Sequence, residues 1–269
     1  MSTANADALV RDRKKWLWEP RPAGAPVRAT LVVLPHAGGL AQGYAKWARW
    51  FPEDIRVIAV QYPGRGPRFG EEAARSMAAL VDPIAEALAE ETELHVFGHS
   101  LGAMLGFEVC WRLARMGRPV RAFFPSAAPA SHIPRNPAPT PAEPTDAELV
   151  EALVDRGGMD RAALEHPELL ELVLEACRAD REVTLSYHYG EERRVLDCPV
   201  VAFGGTTDVA VAPADVARWP ELTTGSGEVH LLDGGHFYLN DHMAAVTGRI
   251  QRQMAARTGA DTERGERER

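Results

Sequence analysis

The sequence predicts an α/β fold, a mostly parallel sheet with helices on both faces, and three observations carry that prediction. Six short β-rich runs alternate with longer helical patterns along most of the chain. The alternation breaks in one region, where seven prolines fall between Pro125 and Pro144. The composition is that of a globular protein, with 45% hydrophobic and 25% charged side chains. At 269 residues the chain buries roughly 70 to 75% of its unfolded surface, so its core needs neither disulfide nor metal.

The predicted strands are 29–34, 55–61, 93–97, 120–125, 199–204 and 228–232. Between the third and fourth, residues 101–116 carry apolar side chains on most turns, with Gly117 as a stop and Pro119 just beyond, the pattern of a buried helix. The prolines that follow lack the donor a sheet or helix interior needs, so the chain leaves the sheet there. Thr145 and Glu148 form a capping box that opens an amphipathic helix through Leu149, Val150, Leu153 and Val154, closed by Gly157 and Gly158. A further helix spans about 167–187 before the sheet resumes at Pro199. We therefore expect one domain over 1–269, with about 130–195 as a helical lid insertion over one end of the sheet. Two ordinary crossover helices are the plainer alternative. Residues 258–269 are polar and lack apolar periodicity, which predicts a disordered tail.

Composition also excludes function classes. Thirty Lys and Arg against 38 Asp and Glu leave a net charge of -8, the wrong sign for a protein that grips nucleic acid through phosphates. The one basic cluster, Arg11, Arg13, Lys14 and Lys15, reads as a solvated face, with contact to an acidic partner as the alternative. Cys110, Cys177 and Cys198 form no CxxC or zinc spacing, which points to a reducing compartment and no metal. The first eight residues lack the apolar core of a signal peptide, and no stretch approaches the roughly 18 apolar residues of a membrane span. The expected location is the cytoplasm, away from the membrane.

The strongest chemical signal is Gly98-His99-Ser100-Leu101-Gly102, between a predicted strand and a predicted helix. A sharp turn there lifts the Ser100 hydroxyl over the sheet edge, beside helix amides that favour developing negative charge. A serine hydroxyl barely ionises at neutral pH, so attack needs a base. Among nine histidines, His236 follows the last strand on a Gly234-Gly235 turn at the same sheet edge. His99 belongs to the turn itself and should point away from Ser100, and His95 alternates along a strand and should pack. The imidazole needs a carboxylate to fix its tautomer. Asp208 follows Gly204-Gly205-Thr206-Thr207 at that edge, whereas Asp233 lies too near His236 in sequence to reach the far side of the ring. The region after 120–125 reads Ser126-Ala127-Ala128-Pro129 and offers no carboxylate. The order Ser100, Asp208, His236 is that of α/β-hydrolases.

An attacked carbonyl leaves an oxyanion that needs two donors. The Leu101 amide is one, and the loop Pro35-His36-Ala37-Gly38-Gly39 after the first strand supplies the other, for which we select Ala37, with its neighbours in the loop as alternatives.

These motifs, with Gln61-Tyr62-Pro63-Gly64-Arg65-Gly66, Cys177-Arg178-Ala179-Asp180 and Gly234-Gly235-His236-Phe237, make the chain resemble the type II thioesterases that accompany polyketide and nonribosomal peptide synthases. The resemblance spans about 16–250 and is specific in the combination of the first loop, the PGRG segment and the Ser100 turn. It implies an α/β-hydrolase fold and an editing hydrolase that removes acyl groups from the phosphopantetheine arm of acyl or peptidyl carrier domains. It implies no cofactor and a protein acting as a monomer. It also implies a helical lid over a substrate chamber; Asp180, on the predicted lid helix, reads as bonding that lid to the core, and Arg65 as holding the PGRG turn by an ion pair, with direct substrate contact as its alternative. A small-molecule carboxylesterase or acyl-CoA thioesterase is the alternative on the same fold.

Overall fold

Six parallel strands at the centre of the molecule are made from the β-rich runs, and their burial follows from having helices on both faces. The computed structural model of the chain describes residues 13–22, 26–134, 144–155 and 166–267. β1 is Leu17–Trp18, β2 Ala29–Leu34, β3 Ile55–Val60, β4 Leu94–His99, β5 Ala122–Ser126, β6 Val200–Gly205 and β7 Gly227–Leu232. They form one seven-stranded sheet in the order β1-β3-β2-β4-β5-β6-β7. Only β1 runs antiparallel, with Leu17 opposite Val60. Its two residues are too few to show a period, which is why the sequence reading has six strands.

The predicted α/β class is what the chain adopts. β2, β4, β5 and β6 are buried along their whole length, while edge strand β7 is mostly half-exposed. One face is covered by α1, Met77–Leu88, and α2, Leu101–Arg115, which pack Ile84, Leu105 and Phe107 against Val32 and Val96. The other face is covered by a 3-10 helix, Ala41–Trp50, and by α6, Met243–Arg267, through Trp47, Val246 and Ile250 against Phe97 and Phe124. Each such side chain contributes about 1.5 to 3 kcal/mol when fully buried.

Between β5 and β6 come α3, Asp146–Asp155, and α4, Pro167–Ser186. The capping box is formed: the Thr145 amide donates to Glu148 Oε2 at 2.7 Å and the Glu148 amide to Thr145 Oγ1 at 3.3 Å. The stops at Gly157 and Gly158, like Pro137, Pro139 and Pro141, lie outside the described residues. α4 buries Ala176, Cys177, Ala179, Asp180 and Val183, a stripe at helical spacing. After β6, a short helix α5 covers Pro213–Val216. Where the sequence predicts a disordered tail from 258, the backbone of α6 stays helical through Arg267. Val246, Ile250 and Met254 anchor its first turns in the core, and once a helix is nucleated each added residue gains a hydrogen bond. Among the described residues no helix is long and apolar enough to cross a membrane.

Chain order places the site. From β2 the chain moves to β3 on one side, whereas β4 pairs with β2 on the other. Loops leaving the carboxyl ends of β2 and β4 therefore diverge and open a crevice between them.

Candidate active site

Ser100 sits between β4 and α2 with φ 55° and ψ -117°, a conformation that strains a residue bearing a side chain. The turn is possible because its neighbours have no side chain. A Cβ on Gly98 would lie 2.0 Å from the Gly102 carbonyl oxygen, and one on Gly102 would lie 2.1 Å from that of Leu34. The Ser100 amide is held by the Ser126 carbonyl on β5 at 2.8 Å.

The loops after β6 and β7 bring up two further side chains. The Thr206 amide donates to Leu232 at 2.8 Å and that of Thr207 to Gly234 at 3.0 Å, which ties the two loops together. His236 Nδ1 then lies 2.7 Å from Asp208 Oδ2, and Nε2 lies 2.9 Å from Ser100 Oγ. A carboxylate only accepts, so Nδ1 carries the proton and Nε2 is free to accept from the Ser100 hydroxyl. Asp208 Oδ1 takes the Ala210 and Val211 amides at 2.8 and 3.2 Å. Burial alone would raise the Asp208 pKa, but the bond from His236 and the two amides hold it below the ordinary carboxylate range. Thus the structure joins the three side chains that the sequence singles out. Asp233 is not in this row; its carbonyl accepts from His242 at 2.8 Å.

The loop after β2 is braced from three sides. The Tyr62 hydroxyl donates to the Pro35 carbonyl at 3.0 Å, and His36 Nδ1 lies 3.0 Å from the Tyr44 hydroxyl. From α4, Asp180 Oδ2 accepts the Gly38 amide at 2.8 Å. The same carboxylate meets Arg65 of the PGRG segment through two bonds, 2.5 and 2.7 Å, with both side chains buried. Arg65 thus pairs with the helix rather than within its own turn. Ala37 and Leu101 both line the cavity beside Ser100, and among the described residues neither amide donates a hydrogen bond. Burial, then the charge of His236, lowers the His36 pKa to about 4. His99 is likewise held well below its ordinary value by burial.

That cavity has a volume of about 590 Å³. Met104, Ala127 and Pro129 line it from the core, and Leu149, Leu153 and Leu185 line it from α3 and α4. A second cavity of about 660 Å³ shares His36, Ala37, Leu153 and Phe237 with it.

Three further histidines are engaged elsewhere: His95 Nδ1 with the Glu93 carbonyl at 3.0 Å, His132 with Glu221 at 2.9 Å, and His230 with Glu228 at 3.2 Å. His99 turns to Ser126, whose Oγ is 2.9 Å from its Nδ1. Ser126 and Tyr238 stand close to the site without having been singled out. The only signal for Ser126 is its place at the end of β5, in the stretch Ser126-Ala127-Ala128-Pro129 that offers no carboxylate.

A family model described as thioesterase domain matches residues 29–254. The chain is 34% identical over 238 residues to phenyloxazoline synthase MbtB of Mycobacterium tuberculosis, a match covering 85% of this chain and 16% of that protein. It is 33% identical over 251 residues to thioesterase PikA5 of Streptomyces venezuelae, covering 91% of this chain and 88% of that one. Among solved structures, the type II thioesterase BorB from the borrelidin biosynthetic cluster superimposes with a TM-score of 0.81 at 33% identity, covering 89% of this chain and 98% of that one. With its sheet, its Ser100 turn and a match across most of its length, the chain belongs to the thioesterase domain family.

Proposed function

We propose that this protein is a type II editing thioesterase. It hydrolyses acyl groups from the phosphopantetheine arms of carrier domains in polyketide or nonribosomal peptide synthesis, as a monomer in the cytoplasm. The observation that carries the reading is the hydrogen-bonded row of Ser100, His236 and Asp208 beside a largely apolar cavity of about 590 Å³. The type II thioesterase YbtT from the yersiniabactin NRPS/PKS biosynthetic pathway, 27% identical with a TM-score of 0.77, supports the carrier-bound substrate.

In this reading Ser100 Oγ attacks the thioester carbonyl while its proton passes to His236 Nε2, and Asp208 stabilises the imidazolium. The Ala37 and Leu101 amides hold the oxyanion. As the carbonyl reforms, the C–S bond breaks and the thiolate takes the proton from His236. A thiol of pKa about 8.5 needs far less acid assistance than an amine would. Water, deprotonated by His236, then releases the acid from Ser100 and restores the hydroxyl. The α3 and α4 helices serve as the lid, with Asp180 as their tie to the core.

The test is turnover of one acyl group presented on a phosphopantetheinylated carrier domain, on coenzyme A and on an aryl alcohol, read by mass spectrometry. The proposal expects kcat/KM to be highest for the carrier. A clear preference for the aryl ester or the coenzyme A thioester would refute it.

A further inference from the structure

We infer that Tyr238, Ser126 and His99 form a positioning network that locks the nucleophile turn to the His236 loop. The inference rests on the hydrolase reading above. Ser126 Oγ lies 2.6 Å from the Tyr238 hydroxyl and 2.9 Å from His99 Nδ1, bonding both. The three side chains come from three separate elements, namely β4, β5 and the 3-10 turn Tyr238–Asn240 beyond β7. His99 immediately precedes Ser100, and Tyr238 stands two residues after His236. His99 and Ser126 are register partners across β4 and β5, and the Ser126 carbonyl also holds the Ser100 amide at 2.8 Å. One residue, Ser126, therefore touches the nucleophile's backbone and, through its hydroxyl, the neighbours of both nucleophile and base.

All three side chains are fully or almost fully buried, with exposures of 0% for His99 and Ser126 and 2% for Tyr238. Ser126 Oγ, the Tyr238 hydroxyl and His99 Nδ1 satisfy one another, while His99 Nε2 has no hydrogen-bond partner among the described residues; moving any of the bonded atoms leaves another unpaired where water cannot replace it. Burial pushes the tyrosine pKa up and the histidine pKa down, so both stay neutral over the working range. A network that does not titrate there serves geometry rather than proton storage. What it fixes is the 2.9 Å separation between His236 Nε2 and Ser100 Oγ, on which proton transfer depends.

The test compares Tyr238→Phe, Ser126→Ala, the double variant and Ser126→Thr, which retains the hydroxyl. Rates are expressed per Ser100 titrated with a fluorophosphonate, so that any misfolded fraction drops out. Removing one hydrogen bond from this chain lowers kcat and the rate of Ser100 labelling about tenfold, with KM changed less than about twofold. The double variant is no worse than the weaker single one, since either deletion opens the same chain, and Ser126→Thr recovers the rate. Per-site kcat equal to wild type in Tyr238→Phe, a loss confined to KM, or losses that multiply in the double variant would overturn the network. Ser100→Ala measured alongside separates the two readings: retained hydrolysis there refutes the hydrolase mechanism, whereas normal rates in Tyr238→Phe with a dead Ser100→Ala refute the network alone.

Discussion

Replacing Asp180 with alanine strips a buried guanidinium of its counter-charge. Arg65 is 4% exposed and Asp180 is 0%, and two short bonds join them, so the solvent that would re-hydrate the orphaned charge has no ready access. Breaking such a pair from one side costs about 3 to 5 kcal/mol. The Gly38 amide loses its acceptor in the same substitution, adding about 1 kcal/mol. For a chain of this size each kcal/mol moves Tm by about 2 to 4 °C, so the variant should melt about 8 to 24 °C lower. The double variant Arg65→Met/Asp180→Leu removes both charges and should regain most of that loss. It does not restore the acceptor for Gly38, whose neighbour Ala37 lines the cavity at Ser100. Thermal melts followed by circular dichroism, with kcat measured well below Tm, should therefore show the double variant stable but still impaired. A melting point for Asp180→Ala within about 2 °C of wild type would refute this account of the ion pair.

Three further outcomes follow from the geometry. Gly38→Ala would set a Cβ 2.4 Å from the Cys177 sulfur at a φ of +73°, so it should lose at least about 1 to 2 kcal/mol in urea titration and reduce kcat. Asp208→Asn keeps the shape but favours the wrong imidazole tautomer, and should lower kcat on the order of 10⁴-fold with little change in Tm, measured by steady-state hydrolysis and melting. Because His36 titrates near 4 in the folded protein and near 6.5 unfolded, the unfolded chain binds the extra proton between those values. Stability should accordingly be full above about pH 6.5 and fall as pH drops toward 4, which a Tm series across that window checks, and His36→Gln should flatten its slope.

Much of the site was legible because each of its side chains follows a strand run at the same end of a parallel sheet. Ser100, Asp208 and His236 need only that the runs before them be strands pointing one way, and local sequence says so. Ala37 and Leu101 were legible for the same reason, as positions in the loops after β2 and β4. Contacts that depend on register were not legible. Ser126 meets Tyr238 across 112 positions only because β4, β5 and the turn after β7 align at one level. Asp180 carried a role only through resemblance, since nothing local in α4 says that it reaches both Arg65 and Gly38. The helical backbone beyond 258 escaped notice for a different reason. The sequence from 258 shows no apolar period, and the helix that runs through it is anchored earlier, at Val246, Ile250 and Met254.

The most direct measurement is to rapidly mix the protein with an acylated, phosphopantetheinylated carrier domain, quench it within one turnover, and map the acyl group by peptide mass spectrometry. The account predicts the adduct on the peptide holding Ser100, its decay matching acid release, and neither adduct nor hydrolysis in Ser100→Ala. Hydrolysis at the wild-type rate by Ser100→Ala, or an adduct on another residue, would contradict it.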